Sequence, residues 1–224
     1  MEKYLHFLII GGVITLIVGL IVWSIFAEKK RREGLMAAAE EMGLTFFKDG
    51  DPALLNRLSS FKLFNKGRGR KMRNLIQGDS GEVAIAIFDY QYTVGSGKNS
   101  KTHRQSIVAL QSSELVCPDF TIRPESFFDM VGSALGFQDI DFETHPQFSK
   151  LFVLQGSSEE AVRKYFTPAL LEFFEARAGI SVEAQAGALF FYRTNKRIKF
   201  DEIKDNLAEA YEVFGVMVDN TANA

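Results

Sequence analysis

The sequence predicts an α+β protein in which one N-terminal transmembrane helix precedes a domain of antiparallel β-hairpins and segregated helices. Residues 4–27 contain no formally charged side chain. β-Branched and aromatic runs separated by turn residues follow, and apolar residues at helical spacing dominate the second half of the chain. Strands and helices do not alternate regularly, which argues against a doubly wound sheet.

The anchor is predicted from the 24 uncharged residues 4–27. As a helix they would measure about 36 Å, more than the roughly 30 Å of a hydrocarbon core. The preceding flank, residues 1–3, is short. Four consecutive basic residues follow the run: Lys29, Lys30, Arg31 and Arg32. The positive-inside rule therefore predicts a single-pass protein of the cell membrane whose C-terminal domain is cytoplasmic.

Small residues recur along one side of the anchor. Gly11, Thr15 and Gly19 lie four residues apart, so a helical anchor places them on one stripe. Small side chains let a second helix approach closely. A homodimer through this helix is therefore one expectation, and a solitary span is the other.

The elements after the anchor are predicted in order. Residues 28–43 are expected to continue as a basic juxtamembrane helix that ends at Gly43, and a short strand is expected over 44–47. Asp51 followed by Pro52 is typical of a helix start. Further strands are expected at 72–77, 83–94, 104–111 and 120–123.

The chain after residue 125 is predicted to contain more helix. A helix is expected over 126–135 and a strand over 148–155. Residues 157–160, Ser-Ser-Glu-Glu, have the form of a capping box that opens another helix. Pro168 is expected to kink or split that helix, because proline removes a backbone donor and clashes with the preceding turn.

The end of the chain completes the predicted domain. One or two strands are expected over 181–193, and a last amphipathic helix is expected from about Asp201. The predicted cytoplasmic domain spans 44–219, as one unit or as two lobes that divide near Gly136. Residues 220–224 are expected to form a disordered tail.

Charge is divided unevenly along the chain. Residues 28–104 hold 15 basic and 9 acidic side chains, a net charge of +6, whereas residues 105–224 hold 10 basic and 18 acidic ones, a net charge of −8. The densest basic cluster comprises Lys62, Lys66, Arg68, Arg70, Lys71 and Arg73. We expect this cluster and the four basic residues after the anchor to contact anionic lipid headgroups of the bilayer. A solvated loop and a polyanion site are the alternatives, and nucleic acid is disfavoured because no aromatic stacking pattern accompanies the charges.

An acidic segment is the best candidate for a chemical site. In an extended strand Asp139, Asp141, Glu143 and His145 would share one face. Three carboxylates and an imidazole on one surface suit Mg²⁺ or Mn²⁺, or acid-base chemistry. An ordinary half-exposed strand has the same alternation of residues. A membrane-tethered metal-dependent hydrolase or transferase is therefore an alternative function.

No motif names a reaction or indicates a cofactor. The turn Gly95-Ser96-Gly97-Lys98 lacks the upstream glycine and the following serine or threonine of a phosphate-binding loop. Cys117 is the only cysteine, so an intrachain disulfide is impossible. The leading hypothesis is a membrane-anchored, non-enzymatic binding or scaffolding protein with a protein partner of unknown identity. A polyanion or small-ligand binding module is a further alternative.

Four stretches together carry a resemblance to a known group. They are Phe88-Asp89-Tyr90-Gln91-Tyr92, Phe120-Thr121-Ile122-Arg123-Pro124-Glu125, Asp139-Ile140-Asp141-Phe142-Glu143, and Phe148-Ser149 before Leu154-Gln155-Gly156. Over about residues 75–174 the chain resembles a group of uncharacterised prokaryotic proteins with one N-terminal transmembrane helix and a cytoplasmic domain of unknown function. The resemblance implies an inner-membrane setting and transfers no catalytic residue.

Overall fold

A computed structural model describes residues 2–125 and 139–223, and these residues form the α+β fold that the sequence predicts. The helices are α1 (Glu2–Glu41), α2 (Pro52–Arg57), α3 (Pro146–Leu151), α4 (Glu159–Tyr165), α5 (Pro168–Glu175) and α6 (Ile203–Asn223). The strands are β1 (Thr45–Phe47), β2 (Arg68–Ser80), β3 (Val83–Val94), β4 (Lys101–Gln111), β5 (Phe120–Pro124), β6 (Phe152–Gly156), β7 (Ser181–Gln185) and β8 (Ala188–Tyr192). The helix predicted over 126–135 lies outside the described residues.

The eight described strands form one antiparallel sheet in the order β1-β2-β3-β4-β8-β7-β5-β6. One long hairpin joins β3 to β4 and pairs Ala84 with Gln111 at one end and Val94 with Lys101 at the other. We call the second of these ends, where the β3–β4 turn lies, the hairpin end of the sheet. Strands from before and after Gly136 belong to this same sheet.

Side-chain alternation gives the sheet two apolar faces. On one face, Ile85 and Ile87 join a core that includes buried residues of α1 and α6. We call this the helix face. On the opposite face, Phe88 packs against Phe64, which lies in the segment 52–66. We call this the loop face.

Helix α1 continues without interruption from the apolar run into the folded domain. It contains 40 residues, which corresponds to about 60 Å. Residues 9–30 are exposed, whereas Leu35 and Ala39 are buried in the core of the helix face. Within the described residues, α1 is the one helix that is long and apolar enough to cross a membrane.

The direction of α1 along the sheet follows from two contacts. Just after its C-terminal end, Leu44 lies so close to Gly78 that a Cβ on this glycine would be 2.7 Å from the leucine side chain. Nearer the anchor, Arg31 contacts Asp89. Gly78 pairs with Ile85 of β3, so the arginine contact lies four residues further toward the hairpin end. Followed toward its N-terminus, α1 therefore runs toward the hairpin end of the sheet.

One predicted strand and one predicted helix cap differ from the structure. The strand expected over 148–155 is wrong in its first half, because Pro146 starts the short helix α3 and β6 begins only at Phe152. The expected capping box uses the wrong serine. Ser158, not Ser157, accepts a hydrogen bond from the backbone N of Ala161, at 3.2 Å.

The C-terminal part is otherwise close to expectation. Helix α5 starts at Pro168 after α4 has ended at Tyr165, as predicted for a proline-split helix. The tail expected from residue 220 differs, because α6 continues to Asn223. Asn220 is buried, and its side-chain amide donates to the backbone carbonyl of Tyr165 at 2.6 Å. This contact ties the last turns of α6 to the end of α4.

Candidate functional site

A network of charged side chains joins α1 to the sheet, with Asp89 of β3 at its centre. The carboxylate accepts two hydrogen bonds from Arg31, at 2.7 and 3.0 Å, and one from Arg197 at 3.0 Å. Ser106 and Asn74 donate to the same carboxylate at 2.6 and 2.9 Å. Only 12% of the Asp89 side chain is exposed. We call these residues, together with Glu28, the Asp89 cluster.

The cluster reaches α1 at two successive turns. Arg31 also donates to the backbone carbonyl of Ile198, at 2.5 Å. One turn closer to the anchor, Glu28 accepts hydrogen bonds from Arg197 at 2.5 and 3.0 Å. Because Arg197 also binds Asp89, two turns of α1 are fastened to β3 and to the segment before α6.

Local backbone features position these groups. A register shift in β2 between Arg73 and Ile76 marks a bulge, and Asn74 there has a positive φ of 50°. Its side chain reaches Asp89 from the neighbouring strand. Burial opposes ionisation of Asp89, but hydrogen bonds and charge from Arg31, together with the charge of Arg197, outweigh this and lower its pKa. Asp89 is therefore a carboxylate anion at neutral pH.

Arg31 consequently differs from its basic neighbours after the anchor. Its side chain is 13% exposed and paired with Asp89, whereas Lys29 and Lys30 are exposed. Lys29 lies 3.8 Å from Glu33 on the helix surface, and Arg32 is half-buried. Of the four residues expected to contact lipid headgroups, Arg31 instead fixes the helix to the sheet.

Three exposed basic residues lie on the helix face beside the Asp89 cluster, and two of them lie one row further toward the hairpin end. Lys71 pairs with Gln91 across β2 and β3, and Gln91 pairs with Arg104 across β3 and β4. The Arg104 Nε donates to the Gln91 side chain at 2.9 Å. Arg73 lies opposite Asp89 in the adjacent row. The sheet thus brings Lys71 and Arg73 of the predicted basic cluster beside Arg104, which lies outside that cluster in sequence.

Two other members of the basic cluster lie elsewhere. Lys62 and Lys66 are half-buried, and burial lowers the pKa of both, that of Lys66 to about 8. The buried Glu183 carboxylate accepts hydrogen bonds from the backbone N of Lys62, at 2.6 Å, and of Leu63, at 3.1 Å. Burial raises the pKa of Glu183. These two lysines therefore belong to the packing of the segment 52–66 over the loop face.

Arg68 and Arg70 are exposed near the start of β2. Arg68 donates to the backbone carbonyl of Gly95 in the β3–β4 turn. Arg70 donates to the backbone carbonyl of Phe64 at 2.7 Å. Both guanidinium groups hold loops at the hairpin end and add positive charge there.

The stripe of small residues in the anchor is exposed. A Cβ at Gly11 or Gly19 would meet nothing within 4 Å, and the Thr15 hydroxyl donates to the Gly11 carbonyl at 2.9 Å. The stripe is therefore open to a second helix, and its role in self-association stays a prediction.

The acidic segment 139–145 is not the strand that the sequence predicts. Asp139 accepts a hydrogen bond from the backbone N of Leu154, at 2.8 Å, and burial raises its pKa. The backbone carbonyl of Asp141 accepts from Arg163, Glu143 lies in a turn, and His145 directly precedes α3. Within the described residues, no three His, Cys, Asp or Glu side chains assemble as metal ligands would.

An open groove of ≈ 660 Å³ with a mixed apolar and polar lining lies on the loop face, at the end of the sheet away from the β3–β4 turn. Small side chains form part of its lining, among them Ala86, Ala109 and Ala188. Arg57 and Asp79 also line it. Its size is within the range of small-molecule sites.

Sequence reasoning missed the centre of the Asp89 cluster. Its residues come from α1, β2, β3, β4 and the segment before α6, and the Arg31 and Asp89 positions lie 58 residues apart. One signal was present. Ile85, Ile87 and Asp89 lie two residues apart along one predicted strand and therefore share a face. A charged residue thus follows two apolar residues on the face that packs against the core.

No protein-family model matches this chain, and no curated protein matches it in sequence. Among solved structures, it is similar to the crystal structure of the mycobacterial trehalose monomycolate transport factor A, TtfA. The TM-score is 0.61 at 10% identity, over 85% of this chain and 94% of that one. At this level of identity the likeness shows a shared fold.

Proposed function

We propose that this chain is a single-pass, non-enzymatic membrane protein whose cytoplasmic domain binds a partner protein while its hairpin end lies against the anionic membrane surface. The observation that carries the proposal is the continuity of α1, from an exposed apolar stretch into a helix fastened to the sheet by the Asp89 cluster. A helix attached at two turns holds the domain in a defined orientation to the bilayer.

The orientation follows from the direction of α1. Since the helix runs toward the hairpin end on its way to the anchor, that end of the sheet is the one nearer the bilayer. The opposite end, with the β2–β3 turn, points away from it. Strands rise about 3.3 Å per residue, so the 12 residues of β3 separate the two ends by roughly 40 Å.

Charge is distributed in agreement with this orientation. The exposed basic residues at the hairpin end are Arg68, Arg70, Lys71, Arg73, Lys98, Lys101 and Arg104. The opposite end carries exposed Asp79, Glu82 and Glu114 and one exposed basic residue, Arg57. Each basic side chain close to an anionic leaflet contributes about 1 kcal/mol, and the attraction extends over a Debye length of about 8 Å at physiological ionic strength. The hairpin end is thereby attracted to the anionic leaflet, and the opposite end stays free for a partner protein.

Sidedness is supported by the residues that flank the apolar run. Lys29, Lys30 and Arg32 follow it, whereas only Lys3 precedes it, and positively charged flanks are retained in the cytoplasm. A fluorescent protein fused after Ala224 should therefore be fluorescent, and alkaline phosphatase at the same position should be inactive. An active phosphatase fusion would contradict the proposed side.

Surface contact is tested by amide hydrogen exchange on the full chain in lipid nanodiscs. At low salt, amides of residues 94–101 should exchange more slowly in discs with anionic lipid than in zwitterionic discs, and high salt should remove the difference. Amides of the turn at Gly81 and Glu82 serve as the internal control and should not change. Equal exchange of the hairpin end in both lipids at low salt would contradict the proposal.

A further inference from the structure

A polar crevice of ≈ 290 Å³ opens between α1 and the hairpin end of the helix face. Ser24 and Glu28 line it from the helix, and Lys71, Arg73, Gln91 and Arg104 line it from the strands. We call it the basic crevice. Glu28 and Asp89 of the Asp89 cluster form its inner end.

The crevice has a surplus of positive charge. The two carboxylates at its inner end, Glu28 and Asp89, are already paired with Arg197, and Asp89 is paired with Arg31 as well. Lys71, Arg73 and Arg104 have no carboxylate within salt-bridge distance among the described residues. An anion that entered the crevice would therefore meet three cations without displacing an existing ion pair.

The spacing of the cations suits a phosphate group. Lys71, Gln91 and Arg104 form one row across three neighbouring strands. Adjacent strands lie about 4.8 Å apart, so the two basic residues at the ends of the row leave roughly 10 Å between their backbones. Long side chains from both ends can reach one phosphate in that space. The Gln91 side chain accepts a hydrogen bond from Arg104 and thereby orients the guanidinium group.

The position of the crevice along α1 indicates that its anion is a lipid phosphate. Ser24 lies inside the uncharged run that ends at Ala27, and Glu28 is the first charged residue after it. The crevice therefore spans the boundary between hydrocarbon and headgroups, where lipid phosphates lie. A lipid whose phosphate occupied the crevice could keep its acyl chains against the exposed apolar surface of α1.

We propose that the basic crevice binds the phosphate of one anionic phospholipid and retains that lipid beside the anchor. This inference rests on the proposed membrane placement of α1, and it adds a defined binding site to a general surface attraction. Retained lipid would occupy one position on α1 and would exchange more slowly than the surrounding bilayer.

The test uses Trp23, the single tryptophan of the chain, which precedes Ser24. The full chain is placed in zwitterionic nanodiscs that contain a small mole fraction of phospholipid brominated in its acyl chains, which quenches tryptophan at short range. Anionic brominated lipid should quench Trp23 more strongly than zwitterionic brominated lipid at the same mole fraction. Equal quenching by the two lipids would overturn the inference.

Two double variants that lose the same number of positive charges test where the preference for anionic lipid arises. Lys71→Gln with Arg104→Gln removes two cations of the crevice and should reduce the preference for anionic lipid about 25-fold, at roughly fivefold per cation. Lys98→Gln with Lys101→Gln removes two exposed cations of the β3–β4 turn and should leave most of the preference. Loss of the preference in the second variant, alone or to the same extent as in the first, would overturn the inference.

Two further results distinguish lipid binding in the crevice from membrane placement in general, and a lipid phosphate from a soluble one. If hydrogen exchange shows surface contact but anionic lipid is not preferred near Trp23, the crevice is wrong and the membrane placement stands. Inorganic phosphate added at constant ionic strength should leave the quenching unchanged. Its displacement of the lipid at millimolar concentration would overturn the assignment to a lipid headgroup.

Discussion

The Asp89 cluster and the basic crevice lie side by side on the helix face, and both contain basic residues with guanidinium groups. In the cluster, Arg31 and Arg197 meet a largely buried carboxylate and hold α1 in place. In the crevice, Arg73 and Arg104 are exposed and lack a carboxylate partner among the described residues. The difference shows that the role of a basic residue here depends on whether its side chain pairs with a largely buried carboxylate, and not on residue type or local charge density.

The largest expected effect comes from removing the acid of the cluster. Asp89→Ala leaves Arg31 without its carboxylate in a largely buried position, and loss of one partner of a buried pair costs about 3 to 5 kcal/mol. We expect the lower end of this range, since Glu28 still pairs with Arg197. Urea unfolding of the full chain in mild detergent, followed by near-ultraviolet circular dichroism, measures the loss.

Asp79→Ala is the matched control, because this aspartate lies on the neighbouring strand but is exposed. Its replacement should change the free energy of unfolding by less than about 0.5 kcal/mol. Equal destabilisation by the two substitutions would show that the Asp89 cluster does not fasten the domain as described.

A smaller effect is expected from Arg31→Lys. The substitution keeps the charge but loses the two-pronged contact with Asp89 and the hydrogen bond to the Ile198 carbonyl. Hydrogen bonds to charged groups are worth about 1.5 to 3 kcal/mol, so a loss in this range is expected in the same unfolding experiment. Arg32→Lys, one residue along the helix, should be close to neutral. Comparable losses in both variants would contradict a special role for Arg31.

The pH dependence of stability should identify Asp89 as an ionised partner. Its pKa in the folded state is lowered, so its contribution is fully present above the unfolded pKa, near 3.9, and is lost as pH falls through the folded value. The difference in unfolding free energy between wild type and Asp89→Asn should therefore be constant from about pH 7 to 5 and shrink below about pH 4. A difference that grows as the pH falls would contradict the assignment of Asp89 as an ionised partner.

The smallest effect on stability is expected in the crevice. Lys71→Gln with Arg104→Gln should alter the free energy of unfolding by no more than about 0.5 kcal/mol per site, because exposed residues without ion-pair partners contribute little. The same variant is expected to lose its preference for anionic lipid. A strong destabilisation measured by urea unfolding would mean that these residues serve the fold and not a ligand.

Much of the fold follows from local sequence pattern. Runs of β-branched and aromatic residues indicate the hairpins, and Pro168 marks the break between α4 and α5. Asp51 caps α2 through a 2.8 Å hydrogen bond from Ala53, as its pairing with Pro52 predicts. These features depend on interactions within a few residues, which a single sequence displays directly.

The site was less predictable because it depends on long-range packing. Alternation of charge over residues 139–145 resembles a strand, yet Asp139 instead accepts a hydrogen bond from the backbone of Leu154. Lys62 and Lys66 look like part of an exposed cluster until the segment 52–66 folds over the loop face. The pairing of Arg31 with Asp89 required the position of α1 on the sheet, which no local pattern encodes.

The central claim is that α1 holds the hairpin end of the sheet against the bilayer and the opposite end away from it. It can be tested with Ser96→Cys in the β3–β4 turn and Ser80→Cys at the end of β2, next to the β2–β3 turn, each in a Cys117→Ala background. A fluorophore on the cysteine of the full chain in nanodiscs would be exposed to a quencher attached to lipid headgroups. Strong quenching at position 96 and little at position 80, roughly 40 Å away, is the predicted result. Equal quenching at the two positions, or stronger quenching at position 80, would contradict the account.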